Sequence, residues 1–120
     1  MPNSSGKIDI EAALKRIGDD IPLYKEIASI FLEDFPNQIN ALKIAFSEQN
    51  IIEAKKIIHS MKSAASAIGA SALCDTISNA DSSLEFFGLS KAAECYEGIL
   101  LEFDETKKAL AILKVQLNDD

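Results

Sequence analysis

The stretch "IIHSMKSAASAIGA" (57–70) decides how this chain folds. Placed on a helix at about 100° per residue, it separates into two sides. Ala54, Ile57, Met61, Ala64, Ala65 and Ile68 fall on one side. Lys55, Lys56, His59, Lys62, Ser63 and Ser66 fall on the other. The apolar side needs a core to cover it. The polar side carries the chain's single histidine. Gly69 then stops the helix, because a residue without Cβ accepts the left-handed backbone of a helix end.

The same periodicity extends in both directions. Upstream, "DIEAALKRIG" sets Ile10, Leu14 and Ile17 on one stripe, with Asp9 as N-cap and Gly18 as stop. The next segment has Asp20 as cap and Pro22 in its first turn, where a missing N–H costs nothing. Leu23, Ile27, Ile30, Phe31 and Phe35 form its stripe, and Ile39, Leu42 and Phe46 carry on past Pro36. This reads as one long helix kinked at Pro36 or two in near-continuation. Downstream, a helix is expected from Ser71 to about Phe87, stopped by Gly88. A last one runs from near Ser90 to about Leu117, with Leu100, Phe103, Leu110, Leu113 and Leu117 among its apolar positions.

No alternating β-branched runs flank a turn. Short links at 18–20, 48–51, 69–71 and 88–90 make successive helices antiparallel neighbours. The expected fold is all-α: an antiparallel up-down-up-down four-helix bundle whose short N-terminal helix caps one end. The expected divisions are a flexible arm at 1–7, the bundle domain at 8–117 and a tail at 118–120.

Composition narrows the function. The 120 residues carry a net charge of −7 and 48% apolar side chains. An acidic chain is poorly suited to neutralising nucleic-acid phosphates or anionic membranes, so neither is expected as a partner. No apolar run approaches the ~18 residues of a membrane span. No signal-type apolar region follows the N-terminus, and the cytoplasm is the expected compartment. Two cysteines, Cys74 and Cys95, lack CxxC spacing and are expected as reduced thiols. One histidine and two distant cysteines cannot furnish a zinc site, so no metal is expected. Glu-x-x-His pairs and a glycine-rich phosphate loop are both missing, which argues against a di-iron centre and against kinase activity. Acid pairs such as Glu33 and Asp34 read as solvated faces.

What remains is His59. The wheel turns it away from the core. Lys62 and Ser63 adjoin it at i+3 and i+4. Lys62 can neutralise a phosphoryl group attached to the ring. Ser63, Ser66, Ala67 and Ala70 are small and leave room for a partner to approach. These residues alone fit a phosphoryl carrier, and they also fit an incidental surface histidine.

"HSMKSAASAIGASAL" resembles the signature of histidine-containing phosphotransfer (HPt) domains: His, two residues, Lys, a small residue, a Gly-Ala pair, then Leu. "FLEDFPNQINAL" and "IDIEAALKRIGDDIPLYKEIASIFL" are similar to that family's preceding helix and entry segment. The resemblance spans about residues 8–115. It implies His59 as phosphoacceptor, Lys62 as phosphate-stabilising lysine and Gly69 as the turn into the next helix. Two positions depart from the pattern. Ser63 stands where a glycine is usual. Ala80 and Asp81 stand where a Leu-Glu pair usually faces the site, so polar support from that helix is not carried over.

The implied function is relay without kinase activity: an aspartyl phosphate of one receiver domain supplies the group, and another receiver takes it. Response-regulator receivers, including one carried by a hybrid sensor histidine kinase, are the implied partners. They would supply Mg²⁺, so no cofactor of its own is expected. Phe35, Gln38, Ile39, Ser63, Ser66 and Ala67 are candidates for the docking rim, on an expected monomer. Two alternatives stand beside this one. The first is a non-catalytic helical adaptor that binds signalling partners by surface contact alone. The second is an enzyme using His59 as general base, which requires a deep pocket around the ring.

Overall fold

The computed structural model describes residues 7–117. Residues 1–6 of the expected arm and the tail at 118–120 lie outside it. Lys7, also assigned to that arm, is instead half-buried and paired with Glu102 at 3.1 Å. Two Asp caps open the first two helices as expected. Asp9 accepts from the Ala12 amide and starts α1 (Ile10–Arg16); Asp20 accepts from Leu23 and starts α2 (Ile21–Ser47). Asn50 does the same for α3 (Ile51–Ala67), bonding the Glu53 amide. Satisfying orphan amides in this way favours each start by about 1 kcal/mol.

Pro36 neither ends α2 nor divides it. Its missing N–H leaves the Leu32 carbonyl without its helical donor, and both residues are exposed, where such a carbonyl can be solvated. α4 (Ser71–Phe87) follows the expected limits and stops at Gly88, whose φ is +98°. The last segment departs from expectation. It is two helices, α5 (Leu89–Ala93) and α6 (Tyr96–Leu117). The break has neither Pro nor Gly. Tight i→i+3 bonds from Glu94 to Lys91 and from Cys95 to Ala92 replace the α pattern there.

α2, α3, α4 and α6 form the antiparallel bundle, with α5 packed on α4 and the ring closed by α2 against α6. The molecule is about 48 Å long and 22 Å wide. Phe35, Leu42, Ile58, Met61, Leu73, Ile77 and Ile99 are fully buried. Phe35 packs its ring 4.8 Å from Phe31 and 4.9 Å from Phe103, tying α2 to α6. Not every apolar residue on the α2 stripe reaches this core. Leu23 and Ile30 are exposed, and Tyr24 is buried in their place.

α1 and its cap cover the turn between α3 and α4. That turn is a left-handed cap. Gly69 has φ +77°, its amide bonds the Ser66 carbonyl, and the Ala70 amide bonds the Ala65 carbonyl. Three further donors arrive from outside the helix. The Asp9 amide bonds the Gly69 carbonyl at 2.7 Å, the Tyr24 hydroxyl bonds the Ile68 carbonyl at 2.7 Å, and Arg16 Nη2 bonds the Ser66 carbonyl at 2.8 Å.

Gly69 has no spare room. A Cβ there would lie 2.5 Å from the Asp9 carbonyl oxygen and 3.2 Å from Ala13 Cβ. Gly69→Val therefore meets both a left-handed backbone and a steric overlap. The expected loss is about 3 kcal/mol, a fall in Tm on the order of 10 °C. Unchanged thermal unfolding would contradict this account of the turn.

Burial pushes the Tyr24 hydroxyl up from 10.0 to about 12. The folded state thus favours the neutral phenol. Its contribution is complete below pH 10 and is lost as pH rises from 10 toward 12. Across that window the wild type should lose stability faster than Tyr24→Phe in denaturant titrations. Parallel losses in the two proteins would contradict it.

Candidate functional site

α3 and its turn bury most of the expected side, with Ile58 fully buried in place of Ile57, which is half-buried with Ala64. Ala54, Ile58, Met61, Ala65 and Ile68 are at 0% exposure. The opposite side, with Lys55, Lys56, His59, Lys62 and Ser63, is exposed. Core packing therefore sets the rotation of α3, and that rotation presents His59 to solvent. Its side chain is 55% exposed. A ring this open does not fit the general-base reading, which needs a deep pocket.

His59 has a partner on α4. Its Nε2 lies 3.2 Å from Asp81 Oδ1. The sequence supplied no role for this helix, yet polar support is present there. A signal for it existed. Residues equally far from the turn of a helical hairpin face one another, and His59 and Asp81 each lie eleven positions from Ala70. A neutral imidazole donates through one ring nitrogen and holds a lone pair on the other. A carboxylate that takes the donated proton fixes which nitrogen carries the lone pair. It also stops the ring from turning freely.

Lys62 and Ser63 stand one turn farther along, both exposed. Of the expected rim, Ser63 and Ala67 lie open on this face, and Ser66 is half-buried. Ser66 Oγ accepts from Arg16 Nη1 at 3.3 Å. Gln38 is half-buried and donates to Ser60 Oγ at 2.8 Å, bridging α2 to α3 on the outside. Phe35 and Ile39 offer a partner little surface, although Phe35 reaches the floor of the groove beside Ala67. They are 0% and 8% exposed, because they fall on the stripe of α2 that faces the aromatic core. Their place beside the site is taken by residues the sequence had given to the core or left aside. An open hollow next to Lys62, Ser63 and Ala67 is walled by Arg16, Ile17 and Ile27. Ile30, 51% exposed, borders the adjoining groove.

Cys74, which lies near Lys62, is not set up as a nucleophile. Both cysteines are free thiols. Cys74 leans its Sγ on the Lys62 carbonyl at 3.8 Å. Burial first, and then the charge of Asp75, push its thiol up, the reverse of what a reactive thiolate needs. Among the described residues no three His, Cys, Asp or Glu side chains gather as a metal site. No described helix is long and apolar enough to cross a membrane.

If His59 accepts a phosphoryl group, as the resemblance implies, and Asp81 sets its tautomer, Asp81→Ala should slow that acceptance roughly ten-fold, the size seen when an orienting carboxylate is removed. Circular dichroism should be unchanged, since Asp81 is partly exposed. An unaltered rate would remove that role.

No curated protein and no solved structure matches the chain. The family model of the Hpt domain, whose members transfer phosphoryl groups through histidine in two-component signalling, matches residues 26–105, from within α2 into α6, and the chain belongs to that family.

Proposed function

We propose that His59 is the phosphoacceptor of a relay between receiver domains. One observation carries the reading: His59 is the only histidine in the chain, and the core turns it outward against Asp81. In the first half-reaction the ring lone pair attacks the phosphorus of a receiver's aspartyl phosphate. The acyl P–O bond breaks as the N–P bond forms, and the aspartate leaves as carboxylate. The ring proton stays on the nitrogen facing Asp81, so the ring need not lose a proton during transfer. In the second half-reaction the aspartate of another receiver attacks, and the N–P bond breaks. The phosphoramidate is energetic enough to serve either direction.

The domain's contribution is positioning and charge. Lys62 neutralises the transferred group. Lys55 and Lys56 make this strip basic on a chain of net charge −7, which suits the acidic pocket of a receiver. Mg²⁺ belongs to that pocket, and the domain acts without a cofactor of its own. Docking falls on the hollow one turn along α3 from His59, where Ile17, Ile27 and Ala67 offer apolar contact and Arg16 and Lys62 offer charge. A monomer keeps this face open.

The test is transfer of radiolabel from a phospho-receiver to this protein and on to a second receiver. The wild type should take up acid-labile, base-stable label and hand it on. His59→Gln should take up none. Lys62→Ala should be labelled at least several-fold more slowly while keeping its fold. Equal labelling of wild type and His59→Gln would overturn the assignment. A His59→Gln variant that still supports signalling would favour an adaptor.

A further inference from the structure

We propose that Ser63 donates a hydrogen bond to the phosphoryl group on His59 and, with Lys62, stabilises the phosphorylated form. This rests on the relay reading of His59. Ser63 follows His59 by four residues, so their Cβ atoms are neighbours, about 5–6 Å apart on a helix surface. With Nε2 facing Asp81 the lone pair lies on Nδ1, and a phosphoryl group formed there, close to the helix surface, comes within reach of an exposed hydroxyl one turn along.

The Ser63 hydroxyl is free. It has no hydrogen-bond partner among the described residues and lies open to solvent. The other hydroxyls nearby on α3 are tied to neighbouring helices as acceptors: Ser60 Oγ accepts from Gln38 of α2 at 2.8 Å and Ser66 Oγ from Arg16 of α1 at 3.3 Å. Helical Thr76 and Thr106 return their hydroxyls to carbonyls four residues back, at 3.1 and 2.7 Å. Ser63 makes no such bond to the His59 carbonyl, so its donor is unspent.

Charge then chooses the direction. Asp81 holds the α4 side of the ring. Phosphoryl oxygens carry negative charge and are repelled from that carboxylate. They settle on the side away from α4. At 100° per residue Ser63 lies about 40° around α3 from His59, bordering the hollow walled by Ile27 of α2. Lys62 alone would hold the group from the other flank. A hydroxyl bonded to an anionic oxygen is a charge-assisted contact, stronger than a neutral one.

The experiment measures the equilibrium of transfer with a phospho-receiver, for wild type, Ser63→Ala and Ser63→Thr. This constant compares free phosphorylated and unphosphorylated species, so the strength of docking cancels from it. Ser63→Ala should shift the equilibrium roughly five-fold toward the receiver, the size expected for one exposed hydrogen bond. Ser63→Thr, which keeps the hydroxyl, should stay near wild type. An equilibrium unchanged in Ser63→Ala would overturn the proposal, even with slower transfer, because the hydroxyl would then be touching the partner. His59→Gln is run alongside. Phosphate on that variant would defeat the relay reading itself, whereas an unlabelled His59→Gln with an unshifted Ser63→Ala would defeat only the role of Ser63.

Discussion

The crossing of two backbones at Gly69 and Asp9 holds the rest in place. The Asp9 amide and the Gly69 carbonyl meet at 2.7 Å, a distance that any side chain at position 69 would obstruct. Buried carbonyls at a helix end must find donors, and α3 ends inside the protein. It finds them in its own left-handed cap, in the Asp9 amide, in Arg16 and in the Tyr24 hydroxyl. These bonds dock the entry segment, α1 and the start of α2 onto one point. They also fix where α3 stops, and so where each residue along it lies.

Function follows from that placement. The core takes Ala54, Ile58, Met61 and Ala65, and the rotation they require turns His59 out. The hairpin through Gly69 and Ala70 then sets Asp81 beside the ring. His59 is more than half exposed and Asp81, beside it, is partly exposed. The site is an exposed strip of α3 with one imidazole ring, a carboxylate from α4, three lysines and small neighbours. Such a surface suits chemistry shared with a second protein that brings its own cavity. The basic strip is local, on a chain acidic overall.

Much of this was legible in the sequence, and the reasons are specific. Asp9, Asp20, Gly69 and Gly88 are residues whose local chemistry sets helix ends without help from tertiary contacts, and they fell where expected. The wheel through 57–70 separates so cleanly that the exposure of His59 followed from it. The wheel through α2 does not separate: Leu23, Ile30 and Ile44 are apolar and exposed. With apolar residues on several sides, periodicity could not decide which of Phe35, Ile39, Ile27 and Ile30 faced inward, and the rim was assigned partly to core residues. The break between α5 and α6 has no Pro or Gly to announce it. Asp81 was missed for another reason. Its role depends on a neighbour in space, and it became visible only when the hairpin was folded about its turn.

The most direct measurement is the site of phosphorylation, read by intact mass and peptide fragmentation after the protein is mixed with a phosphorylated receiver under neutral or basic conditions. The account predicts one added phosphoryl group, located on His59, with a matching loss from the receiver. Phosphate on any other residue, or loss from the receiver with His59 unmodified, would contradict it.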